Sequence, residues 1–180
     1  KNPYLGGRVS QLNQYFPKLC PPTCGLEINY RRIKDNPNIK VLTMAEVDTV
    51  SGAPGSDDVT LKINPRFVNE NCTCCGDCAK ACQAEIVNEF NFGLNRMKGA
   101  YLPFEMAFPA RYVLSSQIIG TEDAKRCKEA CKYNAVDLEM KAKTLNLNVG
   151  AIVWATGWQP YDAIKIDNLG FGRYPNIITN

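Results

Sequence analysis

Cys72-Thr73-Cys74-Cys75-Gly76-Asp77-Cys78-Ala79-Lys80-Ala81-Cys82 puts five cysteines into eleven residues. Four of them, Cys72, Cys75, Cys78 and Cys82, fall in a C-x2-C-x2-C-x3-C register, the spacing that wraps an iron–sulfur cubane. The first three thiolates would sit on one tight loop. Gly76 lets the backbone turn close to the group they hold. The fourth lies one turn further on, in a short helix expected over 77–84, and points away from the first cube, toward the other cluster of two-cluster proteins. Zinc sites use two separated C-x2-C pairs more often, commonly with histidine. A zinc knuckle or a chance group of free thiols is the competing reading. Cys74 is out of register and reads as a bystander.

A second such unit would place cysteines at 121, 124, 127 and 131. The sequence has Thr121, Ala124, Cys127 and Cys131 there. Thr121-Glu122-Asp123 reads instead as a helix start, with a hydroxyl cap and acidic residues in the first turn. That helix is expected over 122–133, with Cys127 and Cys131 on one face. In the crossed arrangement of such proteins, Cys72, Cys75, Cys78 and Cys131 complete one cluster. Only Cys82 and Cys127 are left for the other, and Asp123 is out of register to help. The expectation is a single [4Fe–4S] cluster, with Cys82 and Cys127 as facing orphans. An emptied cluster pocket would have to be refilled, because a void of that size is costly.

Composition limits what else the chain can do. Its 180 residues contain nine cysteines and no histidine. Histidine-based nucleophile pairs, general bases and haem or zinc ligation by histidine are excluded within it. Nine is an odd count, in clusters, with no export signal at the start, which fits metal or redox chemistry better than a disulfide scaffold. The net charge of +3 is too small to argue for nucleic acid or an anionic membrane. No apolar run approaches the ~20 residues of a membrane helix. The chain opens at Lys1 without an initiator methionine, so its true start is expected to lie upstream.

Along the chain, 8–18 and 26–34 have helical apolar spacing, the second stopped by Asn36-Pro37. Residues 38–43 read as a short strand. Residues 46–50 and 58–63 alternate and read as a hairpin around Gly52-Ala53-Pro54-Gly55. Residues 144–149 alternate again and run into the apolar 150–154, which reads as a buried parallel strand. The strand pattern that stops before residue 64 resumes after 143, so the cysteine region looks inserted into a sheet. Cys20 and Cys24 flank Pro21-Pro22. They complete a cluster from outside, form a redox pair, or are inert.

These segments, in this order, resemble a known family. K-N-P-Y-L-G-G-R (1–8) is similar to the turn after the second strand of two-dinucleotide-binding flavoproteins, and V-W-A-T-G-W-Q-P (153–160) to their later A-T-G-x-x-P signature. A ferredoxin-type insert between hairpin strands resembles the heterodisulfide reductase A subunits and their relatives. Within that family, 16–33, 101–109, 131–138 and 154–172 are most similar to the A subunits of quinone-interacting membrane-bound oxidoreductases of sulfate reducers.

The resemblance implies an α/β class, here an α+β fragment. Residues 1–64 would be the first part of a Rossmann-like FAD-binding domain with an antiparallel meander. Residues 65–142 would be the ferredoxin-like insert and 143–180 the domain continued. The upstream Gly-x-Gly-x-x-Gly unit is missing. By position, Gly6, Gly7 and Arg8 would meet the FAD phosphate and ribose, Val47 the adenine, and Ala155, Thr156 and Gly157 the cofactor from the sheet. The implied function is electron transfer from menaquinol toward adenylylsulfate reductase, through FAD and the cluster. The implied location is cytoplasmic, peripheral to the membrane through the other subunits of the complex. Two alternatives are a heterodisulfide-reductase-type electron carrier, with or without electron bifurcation, and a non-catalytic docking scaffold.

Overall fold

The computed structural model describes residues 1–179. Its elements are α1 (Thr23–Asp35), α2 (Asp77–Ala81) and α3 (Glu122–Glu129), with strands β1 (Ala45–Ala53), β2 (Ser56–Ile63), β3 (Glu85–Val87), β4 (Arg96–Lys98), β5 (Ala100–Tyr101), β6 (Val113–Leu114) and β7 (Lys143–Val149). The result is a mixed α and β chain with one three-stranded and two two-stranded sheets, in which every strand pair is antiparallel.

The hairpin forms as its alternation and turn residues require. Ala53 pairs with Ser56 across Pro54-Gly55. Gly52 has φ +114°, and a Cβ there would lie 2.4 Å from the Ser56 carbonyl, so only glycine fits. β7 pairs along β2 from Ile63↔Lys143 to Asp57↔Val149. The two strands that bracket the cysteine region are therefore neighbours, and that region closes as a loop between them.

Inside the loop is the core. Phe67, Val68, Cys78, Cys82, Ala100, Leu114, Ile118, Cys127, Ala135 and Val136 form one buried cluster. Full burial of Leu114 alone is worth about 1.5–3 kcal/mol. A bridge between Val68 and Val136, with Asn69 N–H to the Ala135 carbonyl and Asp137 N–H to the Phe67 carbonyl, ties the two ends of the region together. The N-terminal segment packs against it. Tyr4 meets Phe90 and Phe104 edge-on, Leu5 N–H donates to the Phe108 carbonyl, and Tyr30 of α1 stacks on Phe108.

Five expectations change. The helix expected over 77–84 ends at Ala81, and Cys82 is extended just beyond it, its N–H closing the last turn onto the Cys78 carbonyl. Residues 8–18 do not make a helix. A 3-10 turn over Gly7–Gln11 forms, and the chain then runs through Pro17 and a left-handed Leu19. Residues 38–43 form no strand. Asn36 caps the turn by accepting from Asn38 N–H, and Met44 adopts φ +56°. The parallel strand over 150–154 is absent. Pairing stops at Val149, and Val153 and Trp154 are exposed, because among the described residues β7 has no partner on its far side. Last, α3 ends at Glu129, because Cys131 closes a turn to Lys128 and Asn134 is left-handed.

Candidate functional site: four thiols around one cavity

Cys72, Cys75, Cys78 and Cys131 line a single cavity with Gly76, Tyr112, Ala135 and Val136, whose enclosed volume is about 20 Å3. The local reasons are simple. Gly76 has φ +82° and starts α2, which carries Cys78 inward. The Val68–Val136 bridge brings the 131–136 segment beside the 72–78 loop. Lys132 reaches Asp77 at 3.6 Å, closing the same seam. Cys131 Sγ accepts from Ala135 N–H at 3.2 Å, a donor already aimed at a sulfur.

Burial, then the neighbouring Cys72, pushes the Cys78 thiol up to about 12. Burial also raises Cys74, again with Cys72 as the second cause. Ligation by a metal centre would deprotonate such thiols outright. Among the described residues, no three Cys, Asp or Glu converge closely enough for a single metal ion. A tetrahedral zinc, with Zn–S bonds of about 2.3 Å, needs that convergence. A cubane takes four thiolates, one at each iron corner, and the four cysteines around this mostly apolar void supply that number. The donor set fits a [4Fe–4S] cluster.

Cys82 and Cys127 lie elsewhere, in the core at 1% and 0% exposure. Burial, then the adjacent Cys82, pushes the Cys127 thiol up to about 12. Cys127 Sγ donates to the Cys78 carbonyl and Cys82 Sγ to the Ala84 carbonyl. They are free thiols. Gly99 explains how they are packed: a Cβ there would meet Ile118 Cγ2 at 2.6 Å and Cys82 Sγ at 3.4 Å. Ile118 therefore occupies space beside Cys82. Asp123 is not a ligand. It accepts from Gln83 N–H and Arg126, fastening α3 to the end of α2. Cys20 and Cys24 are exposed, and neither lines the cavity.

The residues assigned to flavin are not gathered. Gly6 and Gly7 line an open depression with Tyr4, Leu42 and Thr43. Arg8 lines another with Tyr101 and Phe90 and sits over the Phe92 ring. Val47 is exposed on β1, and Ala155, Thr156 and Gly157 lie in an exposed segment outside any strand. On their own these positions do not enclose a dinucleotide.

Tyr112 and Arg66 went unread in the sequence. The Tyr112 hydroxyl stands 3.1 Å from where a Gly76 Cβ would be. Arg66 is only 6% exposed and donates to the carbonyls of Tyr112, Arg111 and Pro3 and to Thr43 Oγ1. Burial, then Arg111, pulls its guanidinium down to about 10. A single arginine after a proline carries no spacing signal that would have revealed it.

Four cysteines around one cavity in a chain without histidine define a redox or metal–sulfur class of site. The relatives give it a setting. The chain is 37% identical over 99% of its length to the iron–sulfur A subunit of the CoB–CoM heterodisulfide reductase of Methanocaldococcus jannaschii. It is 38% identical to the A subunit of the H2/formate:CoB–CoM heterodisulfide,ferredoxin reductase of Methanococcus maripaludis, and 32% to that of the ferredoxin:CoB–CoM heterodisulfide reductase of Methanosarcina acetivorans, each over 99% of this chain. It spans about a quarter of the length of these relatives, covering 27%, 27% and 23% of them. No family model matches the chain. Over its whole length, then, the chain is homologous to part of heterodisulfide reductase A subunits. None of these three relatives is named for quinone or adenylylsulfate, so they carry the broader resemblance and leave the narrower one unsupported.

Proposed function

We propose that this chain is the cluster-bearing part of a heterodisulfide-reductase-A-type electron-transfer protein. The observation that carries the reading is the ring of Cys72, Cys75, Cys78 and Cys131 around one cavity. A bound [4Fe–4S] cluster would supply one-electron storage. The chain's own part is to hold four thiolates, aim Ala135 N–H at Cys131, and wall the site with Val68, Ala135, Val136 and Tyr112. No bond-making chemistry is required of it. The domain division at about 64 and 143 belongs to this reading and is supported by the pairing of β2 with β7.

FAD belongs to the same proposal at the level of the longer protein, with Gly6, Gly7 and Arg8 contributing one edge of its site. Other subunits are its partners, since the relatives are named as the A subunits of larger reductases. No helix among the described residues is long and apolar enough to cross a membrane. The menaquinol-to-adenylylsulfate-reductase route is the second reading, and the four long sequence stretches quoted above favour it. Supplying the reduced complex with either CoB–CoM heterodisulfide or adenylylsulfate reductase separates the two by which one reoxidises it.

Metal analysis after anaerobic purification tests the site. About four iron and four sulfide per chain are expected from the insert, since a cubane of that composition takes four cysteines. Zinc, or no metal, would replace this reading with a docking scaffold.

A further inference from the structure

Arg66 is a buried cation without an anion. Its Nε donates to the Tyr112 carbonyl at 2.9 Å, Nη2 to the Arg111 carbonyl at 2.6 Å, and Nη1 to the Pro3 carbonyl at 2.7 Å and Thr43 Oγ1 at 3.3 Å. Every acceptor is neutral. Among the described residues no carboxylate lies within ion-pair distance of it, while Glu70 pairs with the more exposed Arg111. A buried charge usually sits beside its opposite, because neutral dipoles offset only part of its desolvation. A mere clasp between the N-terminal segment and residues 111–112 would not need a full charge.

The thiol cavity adjoins the groups that Arg66 holds. Tyr112, whose carbonyl Arg66 holds, lines the thiol cavity with its ring, and so does Val68, two residues from Arg66. Burial, then Arg111, lowers the Arg66 guanidinium, and negative charge on Tyr101, Cys72 or Cys74 would raise it. With four thiolates in place, the cavity becomes the largest negative charge near that guanidinium.

We propose that Arg66 is the buried counter-charge of the thiolate site, a fixed cation held by neutral acceptors that favours the electron-loaded form of the group held by Cys72, Cys75, Cys78 and Cys131. This rests on the cluster reading above. When one electron enters from an external reductant and no proton is taken up, the site gains a full negative charge. A nearby immobile cation in a dry setting lowers the energy of that state more than of the oxidised one. Arg66 is thus a positioning and potential-setting residue, not a ligand.

The test is an EPR-monitored redox titration of the full anaerobic chain, with dithionite as reductant. Arg66→Gln is expected to keep its iron but to lower the reduced fraction at fixed poise about tenfold, which is about 59 mV for a one-electron couple. Arg66→Lys, which keeps the charge, should recover most of that shift. Should Arg66→Gln not fold, Thr43→Asp serves in its place. It leaves the arginine and its carbonyl contacts intact but supplies the absent anion at a position already 3.3 Å from Nη1, and it should lower the potential in the same direction. An unchanged potential in Arg66→Gln, or in Thr43→Asp, would overturn the proposal while the cluster signal leaves the site reading standing. A chain with no iron and no signal in any form would remove both.

Discussion

Cys127 and Cys131 stand one helical turn apart in the sequence and have different surroundings in the fold. Cys131 borders the cavity and its sulfur already accepts a backbone donor, whereas Cys127 is wholly buried beside Cys82. Cys131→Ser is therefore expected to lose iron and the visible iron–sulfur absorbance. Cys127→Ala should keep the full iron count and lose roughly 1 kcal/mol of stability, the scale of deleting a small buried group. Equal iron in both variants, measured by metal analysis, would break the crossed ligand assignment. Thiol reactivity should follow the same division. The thiolate is the nucleophile, so a buried thiol pushed up to about 12 alkylates slowly at neutral pH. In the iron-free chain, mass spectrometry should find Cys20, Cys24 and Cys75 modified by iodoacetamide well before Cys82 and Cys127. The split between ring and orphans was legible in the spacing. The crowding of the ring, the orientation of Ala135 N–H and the seat of Arg66 were not, because each depends on residues far apart in the chain.

Among the elements, α3 depends on an acidic first turn, although in another way than capping predicts. Thr121 makes no side-chain cap; its hydroxyl donates back to the Ile118 carbonyl. Asp123 supplies the anchor instead, and Arg126 first, then Gln83 N–H, holds its carboxyl below the ordinary range. A depressed carboxylate stabilises the fold above the ordinary value of about 3.9, and that contribution is lost as pH falls through its lowered folded value. Thermal melts against pH should show Asp123→Asn less stable than the parent at neutral pH, the gap closing in acid. A constant gap would assign the effect to packing alone. The start of the chain has a comparable fixed point. Gly6 has φ +101°, and a Cβ there would sit 2.8 Å from the Tyr30 hydroxyl, which donates to the Leu5 carbonyl. Gly6→Ala should cost more than about 1 kcal/mol, since alanine is strained at that φ and displaces the tyrosine. Chemical denaturation measures it.

Over the whole molecule, the organising contact is the pairing of β2 with β7, which returns the chain to its own sheet after the long cysteine-bearing excursion. On one side of that return the structure is dense. On the other, beyond Val149, the chain is exposed, with Trp154, Trp158, Tyr161 and Ile178 open to solvent. Burial there needs partner strands, and the flavin-directed residues stay scattered for the same reason. A polypeptide of residues 1–180 should therefore purify flavin-poor. Stoichiometric FAD in it, by absorbance, would contradict this. The features set by residue order are local: the cysteine register, the hairpin with its obligatory Gly52, α1 ending at Asn36-Pro37, and α3 starting at the acidic Glu122-Asp123. Each follows from spacing, turn chemistry or helix-terminus chemistry within about a dozen residues. Long-range packing settled how the thiols are seated, that among the described residues 150–154 pairs with nothing, and that a lone arginine is buried on the Tyr112 carbonyl. Those outcomes depend on what packs opposite a segment, and a linear pattern of apolar and polar residues does not specify its partner.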